Sequence, residues 1–270
     1  MLKRPGRGRD RRIFANPVLA KAGLSAVGRD DRPRQGRPIQ DLAVGFISAW
    51  SVLLAVGCAQ VLTTATPPAS SGPIRYVALG DSYTIGTSVD EAERWPNQLV
   101  DRLSGSVGLE LVANLGVNGY SSFDLIDHEL PQLAALRPDF VTVLIGVNDV
   151  VGGLPADAYR QNMNQIFEFL LERLPANRIV VVSTPDYTLT PAGASFGDPL
   201  QQRAEISRFN IIEQEVAQSR GIAVVGISSV ADLAHAEPAL VARDGLHPSG
   251  TQYTRWVDLI APVVEDLFAN

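Results

Sequence analysis

Across a glycine turn, Asp244-Gly245-Leu246-His247 sets a carboxylate three residues from an imidazole, close enough for the acid to reach a ring nitrogen. An imidazole held in that way can accept a proton. A matching hydroxyl stands far upstream in Gly80-Asp81-Ser82-Tyr83-Thr84, directly after an apolar run, where the glycine permits a sharp turn at the end of a strand. A serine hydroxyl is a poor nucleophile at neutral pH until a base takes its proton and a carboxylate fixes the base's tautomer. These residue types therefore read as nucleophile (Ser82), base (His247) and orienting acid (Asp244). A serine after a strand is also a common N-cap of the following helix, and taken alone Gly-Asp-Ser does not separate the two roles.

Attack on a carbonyl needs donors for the oxyanion that forms. Two blocks could supply them: Gly119 within Asn-Leu-Gly-Val-Asn-Gly-Tyr-Ser-Ser (114–122), with Gly116 as the fallback, and Asn148 within Gly146-Val147-Asn148-Asp149. The backbone N–H groups of Ser82 and Gly119 and the side-chain amide of Asn148 form the expected oxyanion hole. A rival nucleophile elbow, Gly193-Ala194-Ser195-Phe196-Gly197, matches G-x-S-x-G. It lacks the strand before and helix after that an elbow requires, so it reads as a surface loop, one that could border a substrate pocket. His128 and His235 read as solvated, and Asp149 and Asp186 as residues that shape turns. The three histidines are scattered and Cys58 is the single cysteine, so neither a metal site nor an intrachain disulfide is expected, and no cofactor is required.

Elements that could position these groups follow from periodicity. Short apolar runs at 74–79, 109–113, 140–145, 178–183 and 221–226 read as five strands buried on both faces. Between and after them, segments beginning at Arg94, Ser122, Ala158, Arg203 and Thr251 repeat apolar residues every three or four positions, as amphipathic helices do. The expectation is an α/β fold, a three-layer α/β/α sandwich on a parallel five-stranded sheet, with its site beyond the strands' carboxyl ends.

These ordered blocks resemble the SGNH subgroup of the GDSL hydrolases, named for a serine, a glycine, an asparagine and a histidine, here Ser82, Gly119, Asn148 and His247. The resemblance spans 74–268. It implies a flavodoxin-like SGNH hydrolase fold, Asp244 as the third triad member, and hydrolysis of carboxylic esters through an acyl-enzyme. One departure is Ser121, where the family often has threonine two residues after the glycine. Lipid, short-chain and acetylated-sugar esters all remain open as substrates. The reading from a different class is a non-catalytic surface lipoprotein that keeps the fold and binds glycan or peptide.

Charge divides the chain. Residues 1–41 hold 11 of the 23 Lys+Arg with four Asp, a balance of +7, and read as a disordered basic segment. Residues 42–66 are uncharged and largely apolar, long enough to serve as a signal or membrane segment. Within them Leu-Ala-Val-Gly-Cys ends at Cys58 and resembles a lipoprotein box, so lipidation at Cys58 stands beside an uncleaved membrane helix as an alternative. Residues 67–73 read as a linker and 74–270 as the hydrolase domain. That domain has no lysine and a balance of −13, which argues against a nucleic-acid partner. With the basic end held inside, the domain is expected to be exported, either secreted or anchored at the membrane.

Overall fold

The structure, a computed structural model, describes residues 72–269. The basic segment, the apolar stretch with Cys58 and all of the linker but its last two residues lie outside the described residues.

Five strands form one parallel sheet: β1 (Ile74–Gly80), β2 (Leu109–Asn114), β3 (Phe140–Leu144), β4 (Ile179–Val182) and β5 (Ala223–Val225), in the order β2-β1-β3-β4-β5. All four pairings are parallel. The order is that of flavodoxin-like sheets and reverses beside β1 and β3, where a ligand site is favoured. The middle of the sheet is the most apolar: every residue of β3 and β4 is buried, as expected for strands covered on both faces. Each fully buried valine, leucine or isoleucine there contributes roughly 1.5–3 kcal/mol relative to exposure.

The helices are α1 (Ser82–Ile85), α2 (Trp95–Arg102), α3 (Ser122–Asp124), α4 (Leu133–Leu136), α5 (Val147–Val151), α6 (Ala156–Leu171), α7 (Pro199–Gln218), α8 (Ser228–Ala231) and α9 (Gly250–Ala269). α2 packs on α9 and α6 packs on α7. Right-handed crossovers in this strand order assign these pairs to opposite faces of the sheet. α7 starts where its sequence dictates: Asp198 accepts from the N–H groups of Leu200 and Gln201 and Pro199 follows as the first helical residue. Among the described residues no helix is long and apolar enough to cross a membrane.

One segment departs from its expected form. The amphipathic stretch from Ser122 is not a single helix but α3, a π-helical turn (Leu125–Glu129), a 3-10 turn (Leu130–Gln132) and α4. Pro131 lacks the N–H that a continuous α-helix would use, and the chain tightens to a 3-10 turn there. The π turn immediately before it brings Glu129 beneath the end of β1.

Candidate active site

β1 ends in a turn that only glycine can make. Gly80 has a φ of 150°, and a Cβ on it would lie 2.2 Å from the Leu144 carbonyl oxygen and 2.4 Å from Thr84 Oγ1. Its N–H donates to Glu129 Oε2 at 2.9 Å. Asp81, not Ser82, is the N-cap of α1: its carboxylate accepts from the Tyr83 N–H at 2.9 Å. The capping reading of Ser82 is thereby removed, since its neighbour does that work and Ser82 becomes the first residue of the helix, at the carboxyl edge of the sheet.

His247 is buried, with 8% of its surface exposed. Its Nδ1 lies 2.6 Å from Asp244 Oδ2, the contact that the three-residue spacing suggested. The other oxygen, Oδ1, accepts from the backbone N–H groups of Leu246 at 2.9 Å and His247 at 3.0 Å. Ser88 Oγ also donates to Oδ2, at 2.6 Å. Partial burial raises the Asp244 pKa, but these hydrogen bonds outweigh it and hold the carboxyl well below the usual range. Asp244 is thus anionic at neutral pH. The Tyr83 ring flanks the imidazole, their centroids 5.0 Å apart.

Ser82, Asn148 and His247 line a common pocket, although 165 residues separate the first from the last. Asn148 Nδ2 donates to the Tyr120 carbonyl at 2.8 Å. That bond ties the asparagine to the turn 117–120, closed by the Tyr120 N–H donating to Val117 at 3.2 Å, in which Gly119 takes a left-handed φ of 84°. Gly119 itself is exposed and is not part of the pocket lining. The N–H of the fallback, Gly116, is already engaged, donating to Asn114 Oδ1 at 3.1 Å. Asp149 braces the same region, accepting from the Ser122 N–H at 2.8 Å and from Ser122 Oγ at 2.5 Å.

The remaining candidates lie apart from this chemistry. Ser195 sits in an exposed 3-10 turn (Gly193–Phe196), but its neighbour Phe196 lines the pocket, so that loop does border the site. His128 and His235 are exposed. Asp186 caps a short 3-10 turn (Tyr187–Leu189) and pairs with Arg203 at 2.7 Å. Among the described residues no group of His, Cys, Asp or Glu could hold a metal ion.

Two residues with no expected part support the nucleophile turn. Glu129 is buried, and burial pushes its carboxyl up to about 9, with the Gly80 N–H pulling the other way. Asp81 is pushed up to about 7, again chiefly by burial. A protonated Glu129 can still accept from Gly80 while avoiding a buried charge. Its place was detectable, for Leu125, Glu129 and Leu133 recur every four residues, setting an acid in a buried stripe. Ser88 carries no such mark; only folding brings it to Asp244.

Comparison with known proteins agrees with this architecture. The family model for GDSL-like lipases and acylhydrolases matches residues 78–255. The chain belongs to the GDSL-like lipase/acylhydrolase family. The GDSL lipase Rv0518 of Mycobacterium tuberculosis is 24% identical over 221 residues, covering 77% of this chain and 88% of that protein. Among solved structures, the lipase/acylhydrolase of Enterococcus faecalis superposes with a TM-score of 0.58 at 20% identity, covering 72% of this chain and 96% of that one. The acetylxylan esterase Axe2 of Geobacillus stearothermophilus gives 0.56 at 18% identity, covering 74% and 96%. As a GDSL-family protein the chain is an ester hydrolase whose substrates are small-molecule esters, on the SGNH hydrolase fold.

Proposed function

We propose that the protein is an exported serine esterase acting on carboxylic esters. Ser82 Oγ attacks the ester carbonyl while His247 accepts its proton. The tetrahedral oxyanion is held by the backbone N–H groups of Ser82 and Gly119 and by the Asn148 amide. The C–O bond to the alcohol then breaks, His247 returns the proton to the departing oxygen, and the acyl group stays on Ser82. Water, deprotonated by His247, releases the carboxylic acid and restores the serine. Asp244 holds the imidazole with Nδ1 protonated, which leaves Nε2 for proton transfer, and stabilises the imidazolium.

The observation that carries this reading is the 2.6 Å contact between His247 Nδ1 and Asp244 on an imidazole that shares a pocket with Ser82 and Asn148. Gly119 is preferred to Gly116 because its turn is bound to Asn148 and the Gly116 N–H has a partner. Export rests on the basic segment 1–41 followed by the apolar stretch 42–66, with the protein either released or retained by a lipid on Cys58 or by that stretch itself. Mass spectrometry of the mature N-terminus distinguishes these fates.

Hydrolysis of p-nitrophenyl acetate and labelling by a fluorophosphonate test the chemistry. The intact enzyme should turn over the ester and take one label per chain. Ser82→Ala should lose the label and about 10^4-fold or more in kcat. Labelling that persists in Ser82→Ala would overturn the assignment.

A further inference from the structure

The loop that imitates a nucleophile elbow has a different use. Phe196 at its end stands against Tyr187 edge to face, ring centroids 5.9 Å apart, and both rings line the pocket with Ser82 and His247. Gln202, from the first turns of α7, holds the pair: it accepts from the Tyr187 hydroxyl and donates to the Phe196 carbonyl. The loop is also fastened to the base's own turn, the Ala192 N–H donating to the Gly245 carbonyl at 2.9 Å. Phe196 is therefore a fixed wall, even though 38% of its surface is exposed.

The space behind that wall is small. The pocket beside Ser82 holds about 40 Å³. That is room for a short acyl group, since sites for drug-sized ligands run to roughly 300–1,000 Å³. Val147, Val151 and Leu246 make the rest of its lining apolar, which suits a hydrocarbon acyl group better than a hydroxylated alcohol. Across the Phe196–Gly197 stretch lies a second cleft of about 440 Å³, also lined by Val151. Phe196 and Tyr187 line only the smaller pocket, and Val151 lines both.

From this the geometry points to an acyl pocket of acetyl size, with Phe196 as the residue that limits chain length and Gln202 as a positioning residue that fixes it. The inference rests on the esterase reading of Ser82 and names the acyl class that this site takes. A longer acyl chain directed into this pocket meets the Phe196 ring, which disfavours fatty acyl groups.

The test keeps the leaving group constant and varies the acyl chain, comparing p-nitrophenyl acetate, butyrate and octanoate. In the unaltered enzyme kcat/KM should fall by about 100-fold or more from acetate to octanoate. The octanoate-to-acetate ratio should rise by about tenfold or more in Phe196→Ala, where the ring that walls the small pocket is removed, and in the same direction but less in Gln202→Ala, where the wall is only released. A merely structural role for Gln202 would lower all three activities together and leave the ratio alone. Octanoate turned over as readily as acetate, or ratios unchanged in both variants, would overturn the inference and leave the esterase reading intact. So would length dependence seen only with methyl to octyl acetates, because the pocket would then hold the alcohol. No turnover of any ester, together with no fluorophosphonate label, would remove the esterase reading and this inference with it.

Discussion

Replacing Asp244 by asparagine changes one atom, and the structure shows why it should nearly abolish turnover. The carboxylate accepts four hydrogen bonds, two on each oxygen: the Leu246 and His247 backbone N–H groups on Oδ1, and Ser88 Oγ and His247 Nδ1 on Oδ2. Asparagine has a single oxygen. Directed at the turn, that oxygen satisfies two backbone donors and presents the NH₂ group to His247, so Nδ1 must become the acceptor and Nε2 carries the proton. The imidazole is then in the tautomer that cannot take a proton from Ser82. Turned the other way, the amide keeps His247 correctly oriented but opposes two backbone N–H groups with its own, at a cost of about 1–3 kcal/mol for each donor left unsatisfied. The first arrangement prevails by that margin, and kcat with p-nitrophenyl acetate should fall by about 10^4-fold at neutral pH. Circular dichroism should remain that of the unaltered protein, because the turn keeps its hydrogen bonds. An Asp244→Asn enzyme within about tenfold of the original activity would refute the reasoning, for the carboxylate would then have no part in setting the tautomer.

Asn148→Ala should lower kcat by about 100- to 1,000-fold through loss of an oxyanion donor; steady-state kinetics with p-nitrophenyl acetate check it, and a smaller loss than tenfold would dismiss Asn148 from that role. Glu129→Gln concerns stability. The Glu129 pKa rises from 4.5 to about 9 on folding, so the folded state binds the extra proton. Its contribution is fully present below about pH 4.5 and is lost as pH climbs through about 9, by up to about 1.4 kcal/mol per pH unit. That corresponds to a fall in Tm of roughly 3–5 °C per unit. Gln keeps an acceptor for the Gly80 N–H without titrating, so thermal melts between pH 6 and 8 should show a shallower decline, while Asp81, pushed up to about 7, keeps some slope. Equal slopes in the two proteins would mean that Glu129 is not buried as an acid.

The sheet was readable because β3 and β4 are runs of valine, isoleucine and leucine with nothing polar enough to face water except Thr142, whose hydroxyl meets Tyr76 inside. Asp244 and His247 were readable because the turn that joins them is local and needs no long-range information. What supports them was less so. Ser88 lies 156 residues from Asp244 and contacts it only through the way α1 and the chain's last turn converge. The apolar spacing after Ser122 is genuinely helical and hides the break, whereas the backbone answers first to Pro131. The sequence context of Phe196 suggests a pocket-bordering loop, but its use as a wall depends on Gln202, and no local pattern announces that partnership.

Because acid and base belong to one short loop, while the hydroxyl is delivered by the far end of a β-strand, the machinery consists of two separately built halves. The Asp244–His247 half is closed by hydrogen bonds between neighbours in the chain, with Ser88 and Ala192 fastening it to the rest of the fold. The Ser82 half exists only while β1 stays seated between β2 and β3. Loosening of the sheet's centre would therefore undo the Ser82 half first, and a chain whose Asp244–His247 turn still looked native could already be inert.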